Sequence, residues 1–291
     1  MDAPTVNHLR PGVESFVIER GPVGVLLIHG YSGSPGELRE MGEFLATRGY
    51  TVSAPLLAGH GAGPEAMFEV GWQRWLLDAL VALAHLRRTC SKIVVMGFSM
   101  GALLAVIIAA RVPVDGVVLL APALRLRGQV VVAYADVAAR VQPWYYPLRH
   151  ANFASPAVRA AVLGFAPGLD LDDPAVVAAV RRAARVPVGS VYELVRLQRR
   201  AHRDLRHITT PTLVMQGRQD RTVNPASAEL AYRLLGSQNK QLIWFEQSDH
   251  QLTREAEKED VWCTAAAWIE QVKAAAKLYT ADNQKPLPFR V

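Results

Sequence analysis

The chain has 291 residues, 51% of them hydrophobic, and a formal charge of +6. That length supports one large core, or one domain with an insertion. The surplus charge is confined to residues 125–206, where thirteen arginines and no lysine face six acids, +7 in all, leaving the rest of the chain at −1; the arginines alternate with apolar residues and form no run that could follow a phosphate backbone, which argues for a solvated face and against a nucleic-acid site.

The N-terminal "MDAPTVNHLRPG" has no apolar core and does not read as a signal peptide. "VESFVIE" (13–19) alternates like a half-exposed strand. "VGVLLIHG" (23–30) is a continuous apolar run closed by glycine, the pattern of a strand buried on both faces. A helix follows over 34–49, with Pro near its start, apolar residues at helical spacing and Gly49 as its stop. "YTVSAP" is a short strand and "LLAGHGAGPEAM" a Gly/Pro-rich loop. "WQRWLLDALVALAHLRR" is a helix, "KIVVMG" a strand, "MGALLAVIIAAR" a helix and "DGVVLLAP" a strand.

Here the rhythm breaks. Residues 125–208 carry helical patterns and no convincing strand. Then "TPTLVMQG" resumes as a strand, followed by a helix ("PASAELAYRLLG"), a strand ("KQLIWFE") and a last helix over 253–278. Strands alternating with helices of this length predict an α/β fold: a mostly parallel sheet covered on both faces. The single long interruption predicts an inserted, mainly helical cap. The expected division is a core of 1–124 and 209–278, a cap of 125–208 and a loose C-terminal tail of 279–291. No apolar stretch approaches the roughly 20 residues of a membrane helix. The two cysteines, Cys90 and Cys263, lie far apart and outside any metal-ligand spacing, as reduced thiols of an intracellular protein do. A cytoplasmic protein is expected, a monomer or weak homodimer with no metal and no cofactor.

"GFSMG" (97–101) stands between a strand and a helix. A parallel sheet presents its functional groups at the carboxyl ends of its strands. A turn this sharp forces neighbouring backbone together, and Gly97 and Gly101 remove the side chains that would collide. Ser99 is left at the top of the sheet as a nucleophile elbow would place it. A serine hydroxyl needs a base to take its proton. Of eight histidines, His250 stands just past the end of the last strand and follows Ser99 in the chain. His29 and His60 lie in loops near strand ends. His8 is in the N-terminal arm, His85 in a helix, and His150, His202 and His207 in or beside the cap. The imidazole needs a carboxylate to fix its tautomer. Asp220, just past "TLVMQG", is the best-placed acid; Asp249 adjoins His250, but sequence neighbours rarely face each other. The chain order Ser99, Asp220, His250 is that of α/β-hydrolases. The oxyanion requires donors as well. Met100 N–H at the helix start and Tyr31 N–H in the "HGYSGSPG" loop are expected to supply them.

"LLIHGYSGSPGELREMGEFLATRGYTVSAPLLAGHG", "VVMGFSMGALLA", "PTLVMQGRQDRTVNPASAELAY" and "FEQSDHQLTRE" resemble the bacterial carboxylesterase and monoacylglycerol-lipase branch of the α/β-hydrolases. The likeness covers nearly the whole chain outside the cap and tail. It implies Ser99 as nucleophile, His250 as general base and acid, Asp220 as its partner, and Tyr31 and Met100 as oxyanion donors. It also implies hydrolysis of acyl esters through an acyl-enzyme, without a cofactor, under a cap that covers the acyl pocket; monoacylglycerols and medium-chain fatty acid esters are the expected substrates. "SDH" departs from the "SGH" common in the branch. The cap carries "PWYYPL", Phe153, Val162, Leu163 and Phe165 among its arginines. These are expected to bury against the main domain over Ser99, and the arginines leave room for transient contact with a lipid interface. The alternatives are another triad chemistry (thioester, amide or C–C bond cleavage, or perhydrolysis) and a non-catalytic binder of small apolar ligands.

Overall fold

The structure, a computed structural model, describes residues 12–127, 142–165 and 168–276. The predicted tail and the N-terminal arm with His8 lie outside these residues. Seven strands form one sheet in the order β1-β3-β2-β4-β5-β8-β9. They are β1 (Phe16–Ile18), β2 (Val23–Ile28), β3 (Thr51–Ala54), β4 (Lys92–Phe98), β5 (Gly116–Leu120), β8 (Thr212–Gly217) and β9 (Lys240–Phe245). β1 pairs antiparallel with β3, and every other pairing is parallel. β2 and β3 exchange places relative to their order in the chain, and β4 lies at the centre of the sheet.

Because successive strand residues point to opposite faces, each continuous apolar run feeds two cores. Leu26, Ile28, Val95, Val117 and Leu119 pack on one face. Val25, Leu27, Val94, Met96, Val118 and Leu120 pack on the other. The first face is covered by α2 (Trp72–Thr89), α3 (Met100–Ala109), α6 (Val188–Asp204) and α7 (Ala226–Leu234); the second by α1 (Arg39–Thr47) and α8 (Lys258–Ala276). α3 is apolar all round and buried along almost its whole length, so it forms the centre of its layer. α6 lays Leu194, Leu197 and Ala201 into that same core.

Three differences from expectation have plain causes. The last helix begins at Lys258, not Thr253, because Glu255 and Glu257 turn their carboxylates onto backbone N–H groups of the preceding loop. The inserted segment contains a two-residue strand pair, β6 (Trp144–Tyr145) with β7 (Val186–Pro187), too short to leave a periodic signal. Phe153, Val162 and Leu163 do not bury against the main domain. With Leu171 and residues of α4 (Pro156–Phe165) and α5 (Pro174–Ala183) they form a small core of the insert's own. The insert meets the main domain through α6 and through Trp144, whose ring stands edge-on to Phe68 at 4.6 Å.

Several arginines of this segment are paired: Arg200 with the buried Asp204, which also takes Arg111 from just past the end of α3, Arg159 with Asp172, and Arg185 with Glu65 across to the main domain. Among the described residues, no helix is long and apolar enough to cross a membrane.

Candidate active site

β4 ends at Phe98 and α3 begins at Met100, so Ser99 is the entire connection. Its backbone adopts φ 55 and ψ −111, a left-handed conformation that costs a non-glycine residue about 1–3 kcal/mol. Its N–H donates to the Leu120 carbonyl at 2.8 Å, which holds the turn against β5. A Cβ on Gly97 would lie 2.1 Å from the Gly101 carbonyl oxygen, and one on Gly101 would lie 2.0 Å from that of Ile28. Both glycines are therefore obligatory. Changing Gly101 to Ala should destabilise the fold by about 3 kcal/mol through this backbone collision, seen as a lowered thermal midpoint together with lost activity. A variant that melts like the parent would show that the elbow has more room than this.

The structure brings Ser99, His250 and Asp220 together from the ends of three strands. Ser99 Oγ–H donates to His250 Nε2 at 3.0 Å, and His250 Nδ1–H donates to Asp220 Oδ2 at 2.8 Å. Asp220 is fully buried, while Ser99 and His250 retain 7% and 9% exposure, enough for a small reactant to touch them. Asp220 Oδ1 accepts the N–H groups of Thr222 and Val223 at 2.9 and 2.7 Å, and the Gln216 amide donates to Oδ2 at 2.7 Å. Burial on its own would push this carboxyl up. The hydrogen bond and charge of His250, with the Val223 N–H and the Gln216 amide, outweigh it and hold the group below the usual aspartate range. An ionised Asp220, held by these hydrogen bonds, fixes His250 with its proton on Nδ1 and its lone pair toward Ser99.

The loop carrying His250 is fastened from several sides. Glu255 accepts the N–H groups of Asp249 and Gln251, and Glu257 accepts those of Gln247 and the Ser248 hydroxyl. Asp249 does not face the imidazole. It accepts the backbone N–H of Arg221 at 2.9 Å and pairs with that guanidinium, which ties the His250 loop to the Asp220 loop. This gives "SDH" a structural reason. Gln216, Glu255 and Glu257 have no counterpart in the sequence-based set. The one legible signal is a glutamine at the end of the otherwise apolar β8.

Met100 opens α3, so its N–H belongs to the first turn and has no partner within the helix. Ile28 pairs with Gly97 in register, which sets the turn after β2 beside the serine turn. Tyr31 sits in that turn. Its hydroxyl donates to Ser190 Oγ of α6 at 2.5 Å, and burial pushes the phenol well above its ordinary value. His29 braces the same turn: Nδ1–H donates to the Gly30 carbonyl at 2.8 Å and Nε2 accepts the Leu57 N–H at 3.1 Å. Burial, reinforced by nearby His60, pushes His29 down to about 3, so it is neutral and takes no part in proton transfer at neutral pH. His60 is also buried and lowered, its Nδ1 on the Ala58 carbonyl. His85, His150, His202 and His207 are exposed. Among the described residues, no three His, Cys, Asp or Glu side chains converge as a metal site.

A buried serine on a strained turn, relayed through a histidine to a caged aspartate, is built for attack on a carbonyl. Residues 23–257, which include all three, match the family described as serine aminopeptidase, S33. The chain belongs to that family. It is 29% identical over 251 residues to the thermostable monoacylglycerol lipase of Bacillus sp. (strain H-257), spanning 83% of this chain and 88% of that protein. It is 25% identical over 258 residues to a carboxylesterase of Bacillus subtilis (strain 168), spanning 88% and 96%. Among solved structures, one from work on the metagenome-derived lipolytic enzymes LipS and LipT superposes with a TM-score of 0.76 at 27% identity, covering 91% of this chain and all of that one. The monoacylglycerol lipase of Paleococcus ferrophilus shares the fold at a TM-score of 0.69 and 19% identity, covering 89% and 99%. This S33-family chain therefore has the α/β-hydrolase fold, lies in its carboxylesterase and monoacylglycerol-lipase branch, and is an ester hydrolase.

Proposed function

We propose that this hydrolase cleaves monoacylglycerols and medium-chain carboxylic esters through an acyl-enzyme on Ser99. The observation that carries the mechanism is the unbroken relay from Ser99 Oγ through His250 to Asp220, at 3.0 and 2.8 Å. The substrate class rests on the activities named for the two Bacillus relatives.

In this scheme His250 Nε2 takes the serine proton as Oγ attacks the ester carbonyl. Asp220 stabilises the imidazolium, and the N–H groups of Met100 and Tyr31 receive the oxyanion. The tetrahedral intermediate collapses, and the alcohol leaves with the proton from His250. Water, deprotonated by His250, then repeats the sequence on the acyl-enzyme and releases the acid. Residues 125–208 serve as the cap, with α6 joined to the oxyanion turn through Ser190 and Tyr31.

The test is the initial rate on p-nitrophenyl esters from acetate to palmitate, with 1-monoacylglycerols alongside. A maximum at medium or long chains, with monoacylglycerol turnover, is expected. A maximum at acetate that falls steeply with chain length contradicts the lipid-ester assignment. The family description names an aminopeptidase, so aminoacyl p-nitroanilides belong in the same panel. Their preferential cleavage would move the assignment to amides.

A further inference from the structure

The acyl-transfer scheme leaves one buried acid beside the oxyanion turn unused. Glu37, in the 3-10 turn Pro35–Leu38, is only 9% exposed. Its Oε2 accepts the Gly30 N–H at 3.3 Å. Gly33 lies so close that a Cβ there would meet both carboxyl oxygens at 2.2 Å. Gly33 N–H itself donates to the Gly30 carbonyl at 3.2 Å, closing the turn. The carboxyl group thus sits inside the 30–33 turn, and Tyr31 is held between the two residues that contact it. On its other side, the Glu37 carbonyl accepts the Thr253 hydroxyl at 3.0 Å, three residues past His250. One residue therefore joins the turn bearing the Tyr31 N–H to the loop bearing the imidazole.

We propose that Glu37 is a positioning residue for acyl transfer: its buried carboxylate clamps the turn that aims the Tyr31 N–H. Packing alone does not call for an acid here, because burying a charge is costly where a neutral side chain fills the same space. An ionised carboxylate holds the Gly30 N–H through a charge-assisted bond; a neutral carboxyl does so more weakly.

The charged groups acting on Glu37 are Arg254 and His250, both on the loop after β9; from the turn after β2 it accepts the Gly30 N–H. His250 in turn lies within the influence of Asp220, Glu37 and Glu255. Burial pushes Glu37 up to about 7, against which the Gly30 N–H, Arg254 and His250 pull down. Its charge is therefore present above that pH and absent below it.

The decisive variant is Glu37→Gln, which keeps shape and an acceptor oxygen but never ionises. Well above pH 7 its kcat on an ester should fall about tenfold with KM little changed. The wild-type to variant ratio should close toward one as pH drops below 7, where the wild-type carboxyl is itself neutral. An acid whose folded pKa is raised loses stability as pH rises through that interval, so E37Q should melt no lower than wild type at alkaline pH. A kcat ratio that stays constant with pH, or a variant as fast as wild type at alkaline pH, overturns the proposal. Should E37Q fail to fold, Glu37→Asp replaces it. Withdrawing the carboxylate from Gly30 should lower kcat and spare KM, and an unchanged kcat overturns the proposal equally. The proposal rests on ester hydrolysis at Ser99. An inactive wild type removes both, whereas an active wild type with a constant ratio removes only the role of Glu37.

Discussion

Replacing Ser99 by alanine leaves a folded protein whose ester turnover falls by about four to six orders of magnitude. The fold survives because nothing that shapes the elbow depends on the hydroxyl. The strained φ of 55 is borne by the backbone, and the close approaches belong to Gly97 and Gly101. The Ser99 N–H still reaches Leu120. Only the hydrogen bond to His250 Nε2 is lost. Thermal melts of the two proteins should therefore superpose within a few degrees while kcat/KM collapses. An S99A protein that retains a tenth of wild-type activity would remove serine from the mechanism.

Asp220→Asn should cost nearly as much, about 10⁴-fold in kcat, without removing any group that touches substrate. The reason lies in the cage. Thr222 and Val223 both direct N–H groups at Oδ1, so in asparagine the carbonyl oxygen must take that place. The amide nitrogen is then turned toward the Gln216 amide and His250 Nδ1, which now donate to Oδ2. Donor would meet donor. The imidazole escapes by shifting its proton to Nε2, and in that tautomer it cannot accept the proton of Ser99. The loss should appear in kcat with the melt little changed, and raising pH should not restore it. If D220N keeps a hundredth or more of wild-type kcat, the carboxylate is not what fixes the tautomer.

The parts of the site that were legible in the sequence share one property: each is announced locally. Ser99 is marked by glycines on either side within a strand-to-helix switch, and Asp220 and His250 each follow the end of a clear apolar strand. Parallel strands buried on both faces read as unbroken apolar runs, so the sheet that assembles these ends was legible too. What escaped depends on contacts between distant segments. An amphipathic pattern shows that Phe153 and Val162 need cover, but not that they find it in Leu171 and their own insert. "TREAEKED" is composed of helix formers, yet Glu255 and Glu257 serve the preceding loop as acceptors. Nothing in the sequence marks Glu37. Only the folded turn encloses it, and Gly33, which makes the room, is one of several glycines in a loop where any of them could be a mere turn residue.

The measurement that bears most directly on the mechanism is titration of the active protein with a fluorophosphonate, with ester hydrolysis and the mass of the peptide carrying Ser99 followed in parallel. One adduct per chain, on Ser99, with activity lost in proportion to labelling, is the predicted result. An adduct on another residue, or hydrolysis that persists after Ser99 is fully capped, would contradict a relay that runs from Asp220 through His250 to Ser99.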